Sequence, residues 1–235
     1  MQIIVDLCNQ HLGSLSELKR MCLNAYLSGA DIVKIQLVNS KEMFGSDERS
    51  YRDIDFNKFK SLKQYCDTLD IPLMATAFSK ESFNWIKDLG IDRYKIASRT
   101  VKEDPGLCEH ILDNNKPTII STGKCDIGEF PFGHLDNIDY LFCVSKYPTF
   151  LHDKDLKKMP KEFSKQSYSG FSDHSIGIAA ALEAFNRGAT ILEKHYSENI
   201  FSQSKYESGH LCSFDRESLK RFKDLTKEIE ILRSE

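Results

Sequence analysis

Ala189-Thr190-Ile191-Leu192-Glu193-Lys194-His195 runs from small and apolar residues into a charged triplet that ends on histidine, and Gly170-Phe171-Ser172-Asp173-His174 does the same one segment earlier. Both runs are short and apolar in their first half, which is how a strand buried on two faces reads. A helical stretch over 175–187 separates them, so the pair has the strand–helix–strand order of a parallel sheet. If that sheet closes into a barrel, the two imidazoles emerge side by side at the carboxyl rim, where barrel enzymes keep their chemistry.

Six more runs of the same character lie upstream, at 2–8, 31–38, 71–77, 92–97, 117–121 and 138–144, joining 167–172 and 189–195. Helices are predicted between them over 15–28, with Ser14 as the N-cap, and over 55–69, 80–89, 102–114, 175–187 and 214–232, the last capped by Asp215 or Ser213. Gly29, Gly90 and Gly188 each follow a helix, as a left-handed C-cap requires. Eight strands alternating with helices predict an α/β fold, a (β/α)8 TIM barrel that uses residues 1–235 as one domain. An open doubly wound sheet is the alternative.

Composition narrows the class of function. The chain has 32 basic and 35 acidic side chains, a net charge of −3, so no global positive field invites nucleic acid or an anionic membrane. Its seven cysteines are odd in number and scattered without a Cys-x-x-Cys, which argues against a disulfide framework or a zinc module and suits a reducing cytoplasm. Gln2-Ile3-Ile4-Val5 is too short for a signal peptide, and no apolar stretch has the length to cross a bilayer. The expectation is a soluble, cytoplasmic protein without nucleic-acid or membrane partners.

The strand ends carry the polar residues: Asp6 and Asn9, then Lys34 and Gln36, then Thr76. Lys95 and Ser98 follow, then Ser121-Thr122-Gly123-Lys124, Ser145 and Tyr147, Ser172 and His174, and His195. Lys34 and Gln36 share parity on one strand and so face the barrel interior together. A lysine there is costly unless an anion meets it, and Lys95 raises the same question. Two interior lysines with rim hydroxyls describe a pocket for a small, multiply charged anion such as a phosphorylated carboxylic acid. Simpler readings stand beside each of these. Ser121-Thr122-Gly123 is also an ordinary strand-to-helix turn, and each histidine could be a satisfied polar residue. Asp173 either orients an imidazole or caps a helix starting at Ser175. The charged loop around Lys41, Glu42, Asp47, Glu48 and Arg49 reads as a solvated connection.

Seven stretches, in order along almost the whole chain, resemble the sialic acid synthase family: Ile3-Ile4-Val5-Asp6 through Ser14, Gly29 through Gln36, Tyr94-Lys95-Ile96-Ala97-Ser98, Ile120-Ser121-Thr122-Gly123, Tyr147-Pro148-Thr149, Ser172-Asp173-His174 and Glu193-Lys194-His195. The resemblance implies a (β/α)8 enzyme that condenses phosphoenolpyruvate with an aldose or amino sugar and releases phosphate. It implies Lys34 and Thr76 on the phosphoenolpyruvate carboxylate, and Lys95, Ser98, Ser121 and Ser172 on its phosphate. His174 and His195 would bind a divalent metal, manganese for preference, with magnesium or cobalt as alternatives. Asp6, Gln36, Ser145 and Tyr147 would lie toward the acceptor.

Departures from the family pattern fall on that acceptor side. Asp6 stands for a glutamate, Thr100 for a second glutamate and Ser145 for an asparagine. Gly209 occupies the place of an aspartate, with Glu207 nearby. The family's C-terminal antifreeze-like domain, which crosses to the partner subunit of a dimer, has no counterpart in these residues. The resemblance therefore implies a synthase whose acceptor differs from N-acetylmannosamine, acting as a homodimer or with a separate chain completing the acceptor site. A non-catalytic barrel that binds phosphoenolpyruvate or sugar as a scaffold is the competing reading.

Overall fold

The computed structural model describes residues 1–202 and 208–234. Eight strands close into one parallel barrel in chain order: β1 Gln2–Asp6, β2 Ile32–Leu37, β3 Leu73–Ala77, β4 Tyr94–Ile96, β5 Thr118–Ser121, β6 Ile138–Cys143, β7 Gly170–Asp173 and β8 Ile191–His195. Each lies inside its predicted run, except that β7 extends to Asp173. The helices are α1 Leu15–Leu27, α2 Ser40–Phe44, α3 Phe56–Thr68, α4 Lys80–Asp88, α5 Ser98–Glu103, α6 Pro105–Leu112, α7 Ala179–Asn186 and α8 Arg216–Arg233.

Local chemistry sets the ends of these elements. The Ser14 hydroxyl accepts from Glu17 N at the start of α1, and Asp215 and Ser218 form a reciprocal capping box on α8. Two predicted helices are corrected. The segment read as 102–114 is two helices, because Asp104 leaves the helical conformation and caps α6, whose first residue is Pro105. The segment read as 175–187 begins only at Ala179, since Gly177 takes a φ of 77° in the preceding turn. Asp173 therefore caps no helix: it accepts from Ser175 N and forms an ion pair with Lys194 at 2.8 Å, both side chains fully buried.

Strand parity divides the barrel. Outward residues join the main core beneath the helices, while Ile4, Ile32, Met74, Ile119, Leu141 and Ile191 form a separate inward cluster. That cluster plugs the barrel, each fully buried side chain contributing about 1.5–3 kcal/mol. Two residues further along the strands the interior turns polar. The register sets Asp6 opposite both Lys34 and His195, and Ser172 opposite Glu193.

Gly170 is required where β7 meets β8, because a Cβ there would stand 2.1 Å from the Ile191 carbonyl oxygen. Gly170→Ala is expected to destabilise the barrel by about 1–3 kcal/mol through overpacking. A lowered urea midpoint at unchanged slope checks this.

Candidate functional site

At the carboxyl end of the strands a cavity of about 430 Å³ opens above the apolar plug. Its wall includes every site residue expected from sequence except Thr76, which is buried beneath it and accepts from Lys34 Nζ at 3.2 Å. The floor is an ionic layer. Lys34 Nζ donates to Asp6 Oδ2 at 2.7 Å and lies 3.7 Å from Glu193 Oε2, and Gln36 Nε2 donates to the same Asp6 oxygen at 2.8 Å. Burial works against both charges of the Asp6–Lys34 pair, but their attraction wins: Asp6 is held down at about 2 and Lys34 is raised. Both are ionised at neutral pH.

Lys95 is placed differently. Its Nζ donates to two neutral acceptors, the Ile96 carbonyl and Ser121 Oγ, and reaches Glu193 only at 3.9 Å. Burial consequently pushes its pKa down, with Glu193 offsetting part of the effect. The sequence argument that interior lysines need an anion thus holds, but the protein supplies part of the answer through Glu193, which that argument overlooked. Glu193 has the parity of His195 two residues on, which is the signal that would have found it. Ser172 Oγ donates to Glu193 Oε1 at 3.0 Å, while Glu193 Oε2 has no hydrogen bond among the described residues.

The two rim histidines come together as expected, with ring centres 5.2 Å apart. The Tyr147 ring lies over them, 4.2 Å from His174 and 5.5 Å from His195. His174 Nδ1 lies 2.8 Å from the Val144 carbonyl, and donating there would leave Nε2 with the lone pair. Burial opposes a charge on His174, yet neighbouring Cys143, 3.7 Å from Nδ1, draws its pKa up, while His174 draws the Cys143 thiol down. His195 is pushed down to about 3 by burial, so it is neutral, and its Nδ1 has no hydrogen-bond partner among the described residues. Two neutral-capable imidazoles with an orphaned nitrogen suit a metal as a pair. The described residues contain no group of three or more His, Cys, Asp or Glu arranged to hold one.

Glycines bring the walls close. A Cβ at Gly123 would meet Ser145 Oγ at 2.6 Å and Cys143 Sγ at 2.8 Å, and Gly123 N donates to Ser98 Oγ at 2.9 Å. Ser121-Thr122-Gly123 is therefore part of the site rather than a bare turn. A Cβ at Gly209 would lie 2.8 Å from His195 Nδ1, so the aspartate of the family pattern has no room there, and Glu207 lies outside the described residues. Thr100 is buried and faces the neighbouring cavity beside Glu103.

The loop after β2 corrects a further expectation. It is not merely a solvated connection: Phe44, Arg49 and Arg52 line the cavity, joined by Arg99 from the first turn of α5 and by Lys124 from the loop after β5. His11, set aside by sequence, is also buried, accepting from Gly13 N at Nδ1, and its Nε2 has no hydrogen bond among the described residues.

Comparison with known proteins places this geometry among sugar-acid synthases. The profile described as the NeuB family matches residues 21–235. The N,N'-diacetyllegionaminic acid synthase of Legionella pneumophila is 31% identical, over 93% of this chain and 69% of that protein. The pseudaminic acid synthase of Campylobacter jejuni (strain 81-176) is 28% identical, over 97% of this chain and 73% of that protein. The crystal structure of the N-acetylneuraminic acid synthetase of Leptospira borgpetersenii, in complex with citrate, superposes with a TM-score of 0.85 at 27% identity, covering 99% of this chain and 85% of that one. No helix among the described residues is long and apolar enough to cross a membrane.

Burial pushes His11 down to about 4, below the value near 6.5 of an unfolded chain. The unfolded state therefore binds more protons between those values, and stability is complete above pH 6.5 and falls as the pH drops toward 4. The expected loss is roughly 3 kcal/mol. Denaturation curves across this range should show it, and His11→Asn should remove that component.

Proposed function

The chain belongs to the NeuB family, and we propose that it is a transferase that condenses phosphoenolpyruvate with an aldose or amino sugar, giving a 3-deoxy-2-keto sugar acid and inorganic phosphate. The observation that carries this reading is the gathering of Lys34, Lys95, Ser121, Ser172 and both rim histidines on one cavity of small-molecule size. The kinship to synthases of legionaminic, pseudaminic and sialic acids supports the same reaction class.

In this reading Lys95, Ser98, Ser121 and Ser172 hold the phosphate. Lys95 is the natural anchor, since its charge is the one the protein answers least. The carboxylate goes to Lys34, and Thr76 acts through that lysine from below the cavity wall. Carbon 3 of phosphoenolpyruvate bonds to the acceptor aldehyde carbon, whose oxygen takes a proton. Water adds at carbon 2, and phosphate leaves by C–O cleavage. A divalent metal held by His174 and His195, manganese for preference, supplies Lewis acidity toward the acceptor carbonyl. Asp6 at about 2 is too weak a base to take a proton while Lys34 holds it. A substrate carboxylate that draws Lys34 away raises Asp6 and frees it to receive the proton of the attacking water.

Incubation with phosphoenolpyruvate, Mn2+ and a panel of aldoses should release phosphate only when an acceptor is present, and chelation should stop the release. Absence of phosphate release with every acceptor, together with calorimetric binding of phosphoenolpyruvate, would favour the scaffold reading instead. Lys95→Met should raise the KM for phosphoenolpyruvate by about 10-fold or more, the loss of one charge-assisted contact.

A further inference from the structure

One buried cation has no part in the reaction proposed above. Lys194 lies between Glu193 and His195, so its side chain leaves the barrel on the outer face while both neighbours line the cavity. Its side chain and that of Asp173 are fully buried, with the Phe214 ring 5.5 Å from the ammonium. A buried ion pair is often no more stable than apolar side chains of the same volume. Stability alone therefore gives little reason for this pair, but its position gives one.

Lys194 Nζ donates to Asp173 Oδ2 at 2.8 Å and to the Ser175 carbonyl at 2.6 Å. These are the residues on either side of His174. The other Asp173 oxygen accepts from Ser175 N at 2.7 Å, which closes a loop of bonds around the His174 main chain. Thr149 N donates to the His174 carbonyl at 2.7 Å and holds the same peptide from the loop after β6. The ring is then fixed by the approach of Nδ1 to the Val144 carbonyl.

The same lysine carries His195 as its next residue. Phe214 N donates to the His195 carbonyl at 2.7 Å, and Phe214 is also the ring that faces the ammonium. Between β7 and β8 the paired register ends at Asp173 and Lys194, one residue short of both histidines. Beyond that point the ammonium ties the segment bearing one imidazole to the segment bearing the other. Two ligands on different strands bind one ion well only if their separation is held, and the groups that hold ligands from behind are worth about 10- to 100-fold in metal affinity.

We propose that Lys194 is a positioning residue for the histidine pair: through Asp173 and Ser175 it fixes how the His174 and His195 rings stand to each other, and so the affinity for the divalent metal. This inference rests on the synthase reading above and deepens it by naming what holds the metal ligands in place. Lys194 lies outside the cavity lining and acts only through its neighbours.

The test measures Mn2+ binding by calorimetry and the visible absorption of bound Co2+, both without substrates, so that neither depends on turnover. Lys194→Met leaves Asp173 charged and alone, and may be compared with Lys194→Met/Asp173→Asn, which leaves no uncompensated charge in the apolar layer. The double variant should bind Mn2+ about 10- to 100-fold more weakly and shift the Co2+ absorption. Its affinity for phosphoenolpyruvate, measured without metal, should stay that of the unaltered chain. Leu62→Ala, fully buried on α3 and away from the cavity lining, serves as the control for lost stability. It should lower the urea midpoint and leave Mn2+ binding and the Co2+ spectrum unchanged. A folded double variant with unaltered Mn2+ affinity and Co2+ spectrum would overturn the proposal, as would an equal loss in Leu62→Ala or an unaltered chain that binds no Mn2+. Metal binding that depends on Lys194 without phosphate release from any acceptor would sink the synthase reading and leave this inference standing. Metal-dependent phosphate release that the double variant retains in full would do the reverse.

Discussion

Asp6 and Lys34 face each other across the β1–β2 register, and the charge state of the whole upper barrel follows from that contact. A buried ion pair costs desolvation that its attraction repays only with good geometry and further hydrogen bonds. Here Gln36 and Thr76 supply the hydrogen bonds, and Glu193 adds a second carboxylate at 3.7 Å. With Asp6 held ionised against Lys34 and the least-answered floor cation, Lys95, on the far side of Glu193, the interior is arranged to exchange partners. In the proposed reaction, an arriving carboxylate or phosphate would replace protein contacts rather than enter an empty field. The same layer explains why the apolar plug ends where it does, since two residues further along each strand the side chains answer one another instead of packing.

Much of this was legible in alternation alone. A closed barrel leaves strand parity no freedom, so a residue known to face inward fixes its neighbours two positions away, and Lys34 with Gln36 was read that way. Glu193 obeys the same rule relative to His195 but was taken as part of a motif, so its place between the lysines was missed. Thr76 was read as lining the pocket, whereas it is buried outside the lining and bonds Lys34, although its register with Gln36 and Lys95 gives it the same inward parity. Loop residues follow no period at all. Phe44, Arg49, Arg52 and Arg99 meet because α2 and the Ser40–Asp53 clasp fold the β2 loop back over the mouth, and nothing in the spacing of those residues announces it. The start of α7 was misplaced because the helix was begun directly after His174, whereas Ser175-Ile176-Gly177-Ile178, poor in helix formers, turns through a left-handed Gly177 first.

The kinship to the NeuB family and the geometry complement each other on the acceptor side. The family pattern expects an aspartate where Gly209 stands, and the close approach of that backbone to His195 Nδ1 shows that the position has been given over to contact with the imidazole. Ser145 likewise fits because Gly123 lets the ends of β5 and β6 nearly touch. Around the cavity Gly123 and Gly209 thus allow close approach to Cys143, Ser145 and His195, while the guanidiniums of Arg49, Arg52 and Arg99 line it as well.

The outward pair of Lys194 with Asp173 gives β8 a second property. Along Glu193, Lys194 and His195, inward and outward faces alternate between substrate chemistry and a fully buried clamp. Sliding β8 by one residue during assembly would turn Lys194 into the cavity and force Glu193 and His195 into the apolar layer under the helices. Sliding by two would strand Asp173 without its cation. Every wrong alignment of this strand leaves an uncompensated charge out of water, so the residues that serve the site also proofread the closure of the barrel.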